Sequence, residues 1–345
     1  PTTSSTTTST TLAPAVGLVP APAPIGPTGV SPREPADPGF AATNAAFDVL
    51  AGRNLGATLT VTRGGENGLS RAAGPTVAGD AATGDTPAVV ASVSKLVSAV
   101  AIARLVQADA LSDDDVVPWG EIGILPHPAW LDVTIRELME HSAGVPVART
   151  SWFRGQTDCP AHVQSLLGRP PMTHRGEWTY SNGNYCILGL VIEARTGLAL
   201  DEALQHLVFD PVGAEGVHLT DNGLLPGDMP HPHGAGVARL SRLGAAGNLL
   251  VSTDDLAVAI GRLTPADRQV ITPSTLFTDQ YGFGHTGTID GAKACVWALD
   301  GGETVVAATV AGDSPYTGGG VCDRVVPALA RDLGIGGSAQ PDRTP

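Results

Sequence analysis

The chain has 345 residues, long enough to bury a substantial core as one large domain or two modest ones. Its formal net charge of −14 argues against nucleic acid or an anionic membrane surface as a partner. Apolar residues make up 42%, without a continuous apolar run long enough to span a bilayer, so most of the chain should fold and none should cross a membrane.

Residues 1–38 are low-complexity: a Thr/Ser run, then Ala/Pro/Gly-rich sequence up to Pro38. Such a segment cannot bury enough apolar surface to offset its ordering entropy, and it reads as a disordered linker or stalk. That composition suits an exported, cell-envelope protein, and the initial proline leads us to expect a segment removed upstream. Residues 41–52 read as a short helix, 57–63 as a half-buried strand, and 69–77 as its hairpin return after a Gly-rich turn.

The stretch from Pro87 to Leu105 reads as a helix opening near Ser92. It is apolar on nearly every side, which marks a buried helix. Lys95 nevertheless sits in its first turns, with no acidic residue nearby in sequence. Burying an unpaired ammonium lowers its pKa, and a neutral amine can accept a proton. Ser92, three residues earlier, shares a face with it, which is the placement of a nucleophile beside its base.

Residues 112–130 are loop-like, and Asp113-Asp114-Asp115 reads as a solvated acidic turn. Thr134 and Glu137 match a capping box for a helix ending at His141, a residue expected to hydrogen-bond structurally. The polar, Gly- and aromatic-rich loop Gly176–Tyr185 precedes a helix read over Cys186–Thr196 and stopped by Gly197. Residues 221–247 are Gly- and Pro-rich, and His231-Pro232-His233 reads as loop, not as a metal site. A helix over 249–263, capped by Thr253 or Asp254, should lead to strands at 292–299 and 304–311 and a helix over 321–333; residues 335–345 read as a tail. Early and late strands then make one antiparallel sheet covered by helices on both faces.

Four cysteines allow three pairings. The preferred one joins Cys159 to Cys186 and Cys295 to Cys322, since each bridge closes a short loop within one region. Four buried thiols are the alternative.

Three short boxes occur in order: Ser92-Val93-Ser94-Lys95, Tyr180-Ser181-Asn182 and His285-Thr286-Gly287. Together with Thr134–Gly144 and Gly247–Leu256, they resemble the serine β-lactamase and D-alanyl-D-alanine carboxypeptidase family over about residues 40–334. The resemblance implies an α+β fold of the β-lactamase/transpeptidase type. It would comprise a sheet region (about 39–111 plus 268–334) and a mainly helical region (about 112–267) within one domain over 39–334. The tyrosine box resembles the branch that includes class C β-lactamases, carboxypeptidases and many esterases. Histidine in the third box, followed by Thr288, looks most like secreted actinobacterial carboxypeptidases.

Carried over, the resemblance implies that Ser92 is acylated, Lys95 takes its proton, and Tyr180 relays protons to leaving group and water. Asn182 would orient the substrate amide and Lys95. The backbone N–H groups of Ser92 and Thr288 would form the oxyanion hole. His285, Thr286, Gly287 and Thr288 would form the strand edge where a carboxylate lies. Arg268 is the arginine offered for that carboxylate, and His285, titrating near 6.5, would make its binding pH-sensitive. No cofactor or metal is implied, and a monomer is expected. The implied function is a D-alanyl-D-alanine carboxypeptidase-like serine hydrolase on cell-wall peptides. The alternatives are an esterase or amidase on small acyl substrates with weak β-lactamase activity, or a non-catalytic binding protein on the same fold.

Overall fold

The computed structural model describes residues 38–335, apart from 53, 148–157, 172–173, 215–216, 272–275 and 313–314. The Thr/Ser/Pro linker and the tail from 336 lie outside the described residues.

The main sheet contains β1 (Gly56–Arg63), β2 (Glu66–Ala73), β6 (Phe277–Thr278), β7 (Gly282–Ile289), β8 (Ala292–Leu299) and β9 (Thr304–Ala311). Its strand order is β2-β1-β9-β8-β7-β6, antiparallel throughout. A smaller sheet, which the sequence reading lacked, has β5 (Leu249–Val251) between β3 (Ala88–Val89) and β4 (His218–Leu219). The helices are α1 (Ala41–Ala51), α2 (Ser94–Gln107), α3 (Ile135–Met139), α4 (Cys159–Leu167), α5 (Asn182–Thr196), α6 (Leu200–Leu204), α7 (Thr253–Gly261), α8 (Pro265–Val270) and α9 (Gly318–Asp332).

The sheet is covered on both faces, as expected. Strand periodicity divides β8: Cys295, Trp297 and Leu299 face one way, Ala294, Val296 and Ala298 the other. The first set packs with Phe47 and Leu50 of α1 and with Val321, Val325 and Leu329 of α9. Asp332 ties those two helices together, accepting hydrogen bonds from the Ala42 and Thr43 amides at 2.9 and 2.7 Å. The second set joins the large core that contains α2 and α5.

Strand β1 is buried on both faces, not half-buried. Its threonines are inside because each finds a partner: Thr58 meets Thr309 at 2.6 Å, Thr60 bonds Thr253 and Asp254, and Thr62 donates to the Ala257 carbonyl. Burial of a hydroxyl is tolerated when it is hydrogen-bonded, and alternation alone does not reveal such partners. Helix α7 also begins later than expected: Leu249–Val251 are strand β5, and Ser252 is the cap, accepting from the Asp255 amide at 3.0 Å. The acidic turn is held by Arg136, which pairs with Asp113 and Asp114.

Both disulfides take the preferred pairing. Cys159–Cys186 joins α4 to α5, and Cys295–Cys322 staples β8 to α9. Among the described residues, no helix is long and apolar enough to cross a membrane.

Candidate active site

Strand β3 delivers the chain to the Ser92 turn. The Val90 amide donates to the Leu249 carbonyl at 3.1 Å, which fixes the turn against β5. Ala91 then adopts φ 47°, the left-handed region that residues with a β-carbon seldom enter. Local strain of this kind collects at functional sites. Ala91–Val93 form a 3-10 turn and α2 starts at Ser94, so Ser92 precedes the helix instead of opening it. Ser92 stays half-buried, whereas every residue of α2 from Ser94 to Leu105 is buried.

Lys95 is fully buried, as the all-round apolar pattern predicts. Its Nζ lies 3.2 Å from Ser92 Oγ and donates to the Ala246 carbonyl at 2.6 Å. It also stands 4.9 Å from the centroid of the Tyr180 ring. Burial lowers its pKa below that of an ordinary lysine, and Tyr180 only partly offsets the effect. A neutral amine has two N–H donors and one lone pair. The Ala246 carbonyl and Tyr180 can take the donors, leaving the lone pair for the Ser92 hydroxyl. No residue pattern announces the Ala246 contact, because it uses a main-chain atom. Two neighbouring bonds brace the same segment: Ser98 Oγ donates to the Ala245 carbonyl at 3.2 Å, and the Leu249 amide donates to Ser94 Oγ at 3.2 Å.

The Tyr180 loop is organised by His141. The capping box of α3 forms as expected, and the chain leaves that helix with His141 at φ 57°. The His141 carbonyl accepts the Thr179 amide at 2.8 Å. Its Nδ1 faces two donors, the Ser181 amide at 3.3 Å and Asn184 Nδ2 at 2.8 Å, so Nδ1 is the acceptor nitrogen. Its ring lies 4.6 Å from that of Tyr180. Burial, followed by the charges of Lys95 and His285, lowers its pKa to about 3, so it stays neutral. The structural role expected of His141 is therefore specific: it seats the tyrosine. Ser181 caps α5, which opens at Asn182 and not at Cys186. Asn182 Oδ1 is buried and has no hydrogen-bond partner among the described residues.

The third box lies on a free strand edge. Among the described residues β6 pairs only with Phe283 and Gly284, and none of them pairs with His285–Ile289 of β7 on that side. Gly287 is the close-approach residue: a β-carbon there would lie 2.1 Å from the Val90 carbonyl oxygen. On its other side Gly318 approaches as tightly, and the Gly318 amide donates to Thr288 Oγ1 at 2.7 Å. Thr288 is exposed and Thr286 is half-buried.

His285 departs from expectation. It is 2% exposed, and its Nδ1 donates to the Thr286 carbonyl at 2.8 Å. Burial, with the Lys95 charge added, lowers its pKa to about 3. Near neutrality burial therefore favours the uncharged imidazole at this position. Arg268 departs too: it donates to the Gly301 carbonyl and packs its guanidinium over Phe283, at the opposite end of β7 from Thr288.

The sequence profile of the β-lactamase family matches residues 42–330, nearly the whole described chain. The chain belongs to the β-lactamase family. Its relatives within that family vary in chemistry. Penicillin-binding protein 4* of Bacillus subtilis (strain 168) is 27% identical over 152 residues, which is 41% of this chain. The match spans 32% of that protein's length, so the chain corresponds to about a third of this curated relative. Among solved structures, SurE is 25% identical with a TM-score of 0.65, covering 88% of this chain and 78% of that one. The D-amino acid amidase of Ochrobactrum anthropi SV3, solved with L-phenylalanine, superposes at TM-score 0.68 and 19% identity, over 85% of this chain and 99% of that one. The β-lactamase-family fold follows from this; the activity and the substrate do not.

Proposed function

We propose that this chain is a serine hydrolase that forms an acyl-enzyme on Ser92 and cleaves amide bonds of D-amino acid derivatives. The observation that carries the reading is the buried Lys95 amine 3.2 Å from Ser92 Oγ, with the Tyr180 ring centroid 4.9 Å from the same nitrogen. The Ser92 proton passes to Lys95 as Oγ bonds to the substrate carbonyl carbon. Lys95 and Tyr180 then return a proton to the departing amine. Water repeats the sequence to release the acid. Backbone N–H groups at Ser92 and Thr288 are the proposed oxyanion donors.

Two features bear on the substrate, the second of them favouring an amide over a carboxylate-ended peptide. Asn182 Oδ1 is a buried acceptor lacking a donor, and a substrate N–H would satisfy it. The cations offered for a terminal carboxylate are engaged otherwise, His285 being neutral and Arg268 bonded to Gly301. The D-amino acid amidase likeness, and a SurE structure holding D-Leu, support the same class. The carboxypeptidase is the second reading, supported by the penicillin-binding relative. Both disulfides suit an exported protein working outside a reducing cytosol.

The test is hydrolysis of D- and L-phenylalanine amide, run beside a D-Ala-D-Ala-ended peptide, with intact-mass detection of acyl-Ser92. The expected result is turnover of the D-amide, lost in Ser92→Ala. Full activity in Ser92→Ala would overturn the mechanism, and cleavage of the peptide alone would select the carboxypeptidase.

A further inference from the structure

Beyond Thr288 the strand edge runs into a cavity of about 700 Å³, a size typical of small-molecule sites. Its walls come from the His231–Leu240 segment and from the β7–β8 corner between Thr288 and Lys293. Val237, Leu240 and Ile289 give it an apolar lining.

Its charged groups are unusual for so acidic a chain. Lys293, one of only two lysines, stands in the wall at 8% exposure and donates to the Ile289 carbonyl. Arg239 lines the cavity from the His231–Leu240 segment, exposed, with no hydrogen bond or ion pair to a described residue. The one carboxylate in the lining, Asp290, is engaged by His233 Nε2 at 2.9 Å. The two cations therefore outnumber the local anion, on a chain of net charge −14.

Position decides which part of a substrate enters. A leaving group has to remain within reach of its proton donors, Lys95 and Tyr180. Neither lines the cavity, nor do Ser92 and His285, while Thr288 at the strand edge does. Of the site residues only Thr288 reaches the cavity, so an acyl group held at the Thr288 amide is the part of a substrate that can extend into it.

We propose that this cavity is an acyl-side subsite for a substrate segment that is apolar along its length and ends in a carboxylate, bound by Arg239, with the Lys293 charge in the same lining adding to the attraction. The proposal rests on the acyl-enzyme reading above and narrows its substrate class. Arginine and lysine bind carboxylates through charge-assisted hydrogen bonds, strong enough to set a preference of about tenfold or more.

Mono-p-nitrophenyl adipate and p-nitrophenyl hexanoate share a leaving group and a chain length and differ by the terminal carboxylate. We expect the wild-type protein to favour the adipate ester at least about tenfold in kcat/KM. In Arg239→Gln that ratio should fall about tenfold, and Lys293→Met should lower it as well. Equal use of both esters, or an unchanged ratio in Arg239→Gln, would overturn the subsite. Arg239 is exposed, so its variant should fold even if the Lys293 variant does not. If neither ester acylates Ser92, the hydrolase reading fails, and calorimetry with free adipate judges the cavity separately. Adipate binding that weakens in Arg239→Gln upholds the subsite; absent or unaltered binding rejects it.

Discussion

Gly287 and Val90 touch backbone to backbone, so that a β-carbon on the glycine would stand 2.1 Å from the valine carbonyl oxygen. The strand edge and the turn presenting Ser92 are thereby held at a fixed spacing. Neither partner is a flexible side chain that could swing aside. Gly287→Ala must push β7 away from the turn, at a cost of about 1–3 kcal/mol. A displacement of about 1 Å between reacting groups can cost roughly a hundredfold in rate. We expect kcat/KM on an activated ester to fall about that much, with a lowered Tm. A variant with wild-type rate would show that this contact does not set the geometry.

Lys95 should control the pH profile of acylation. Its pKa is lowered by burial, and only the neutral amine can accept the Ser92 proton. The rate should rise with pH as the amine loses its proton, then level off at a pH below that of free lysine. Lys95→Ala should cut acylation by about 10²–10⁴-fold. The check is stopped-flow acylation from pH 5 to 10, and a flat profile would separate Lys95 from proton transfer.

Much of this arrangement is legible in the residues. An all-apolar helix with one lysine reads directly as a buried amine beside a serine, and the spacing of the cysteines led to the observed pairings. Other features depend on partners distant in sequence. Nothing about alanine as a residue type announces a left-handed φ at Ala91, so the helix was expected to open at Ser92. His285 has the ordinary titration range of histidine until burial and the Lys95 charge lower it. Arg268 is near enough in sequence to suggest a role on the strand, yet the Gly301 carbonyl holds it elsewhere. The cavity at His231 and His233 joins segments almost fifty residues apart, beyond the reach of a local pattern.

Two buried histidines should make the fold acid-sensitive. His141 and His285 each have a folded pKa of about 3, against about 6.5 when unfolded. The unfolded chain takes up protons first as pH falls. Stability is therefore lost progressively from about pH 6.5 down towards 3, at about 1.4 kcal/mol per pKa unit for each group. His285→Gln should flatten this slope, because glutamine does not titrate. Urea unfolding at pH 7, 6 and 5 measures it. Equal slopes in variant and wild type would mean that His285 is protonated without penalty.

His141 should act on catalysis through Tyr180. It holds the loop by its carbonyl, by Nδ1 and by ring packing. His141→Ala removes the acceptor of two donors and leaves Asn184 and the Ser181 amide unpaired in a buried site. We expect kcat to fall tenfold or more on amide substrates, where the leaving group needs a proton. The fall should be smaller on p-nitrophenyl esters, whose leaving group does not. A uniform loss on both would point to general loosening of the fold.

The two disulfides should separate stability from activity. Each closes a 27-residue separation, so chain entropy assigns each about 3–4 kcal/mol. Their surroundings differ. Cys295–Cys322 lies among the residues packed between sheet and α9, on the face away from Lys95. Cys159–Cys186 lies behind the segment that holds Lys95: a β-carbon on Gly244 would meet Cys159 Sγ at 3.0 Å, and Ala245 and Ala246 follow directly. Those two carbonyls accept from Ser98 and Lys95. Replacing both cysteines of either pair by serine should lower Tm by several degrees. Only Cys159→Ser with Cys186→Ser should also lower kcat, since the Ala246 carbonyl loses its support. Thermal unfolding and ester kinetics on the two double variants decide it, and an equal fall in kcat for both would separate the Cys159–Cys186 bridge from the placing of Lys95.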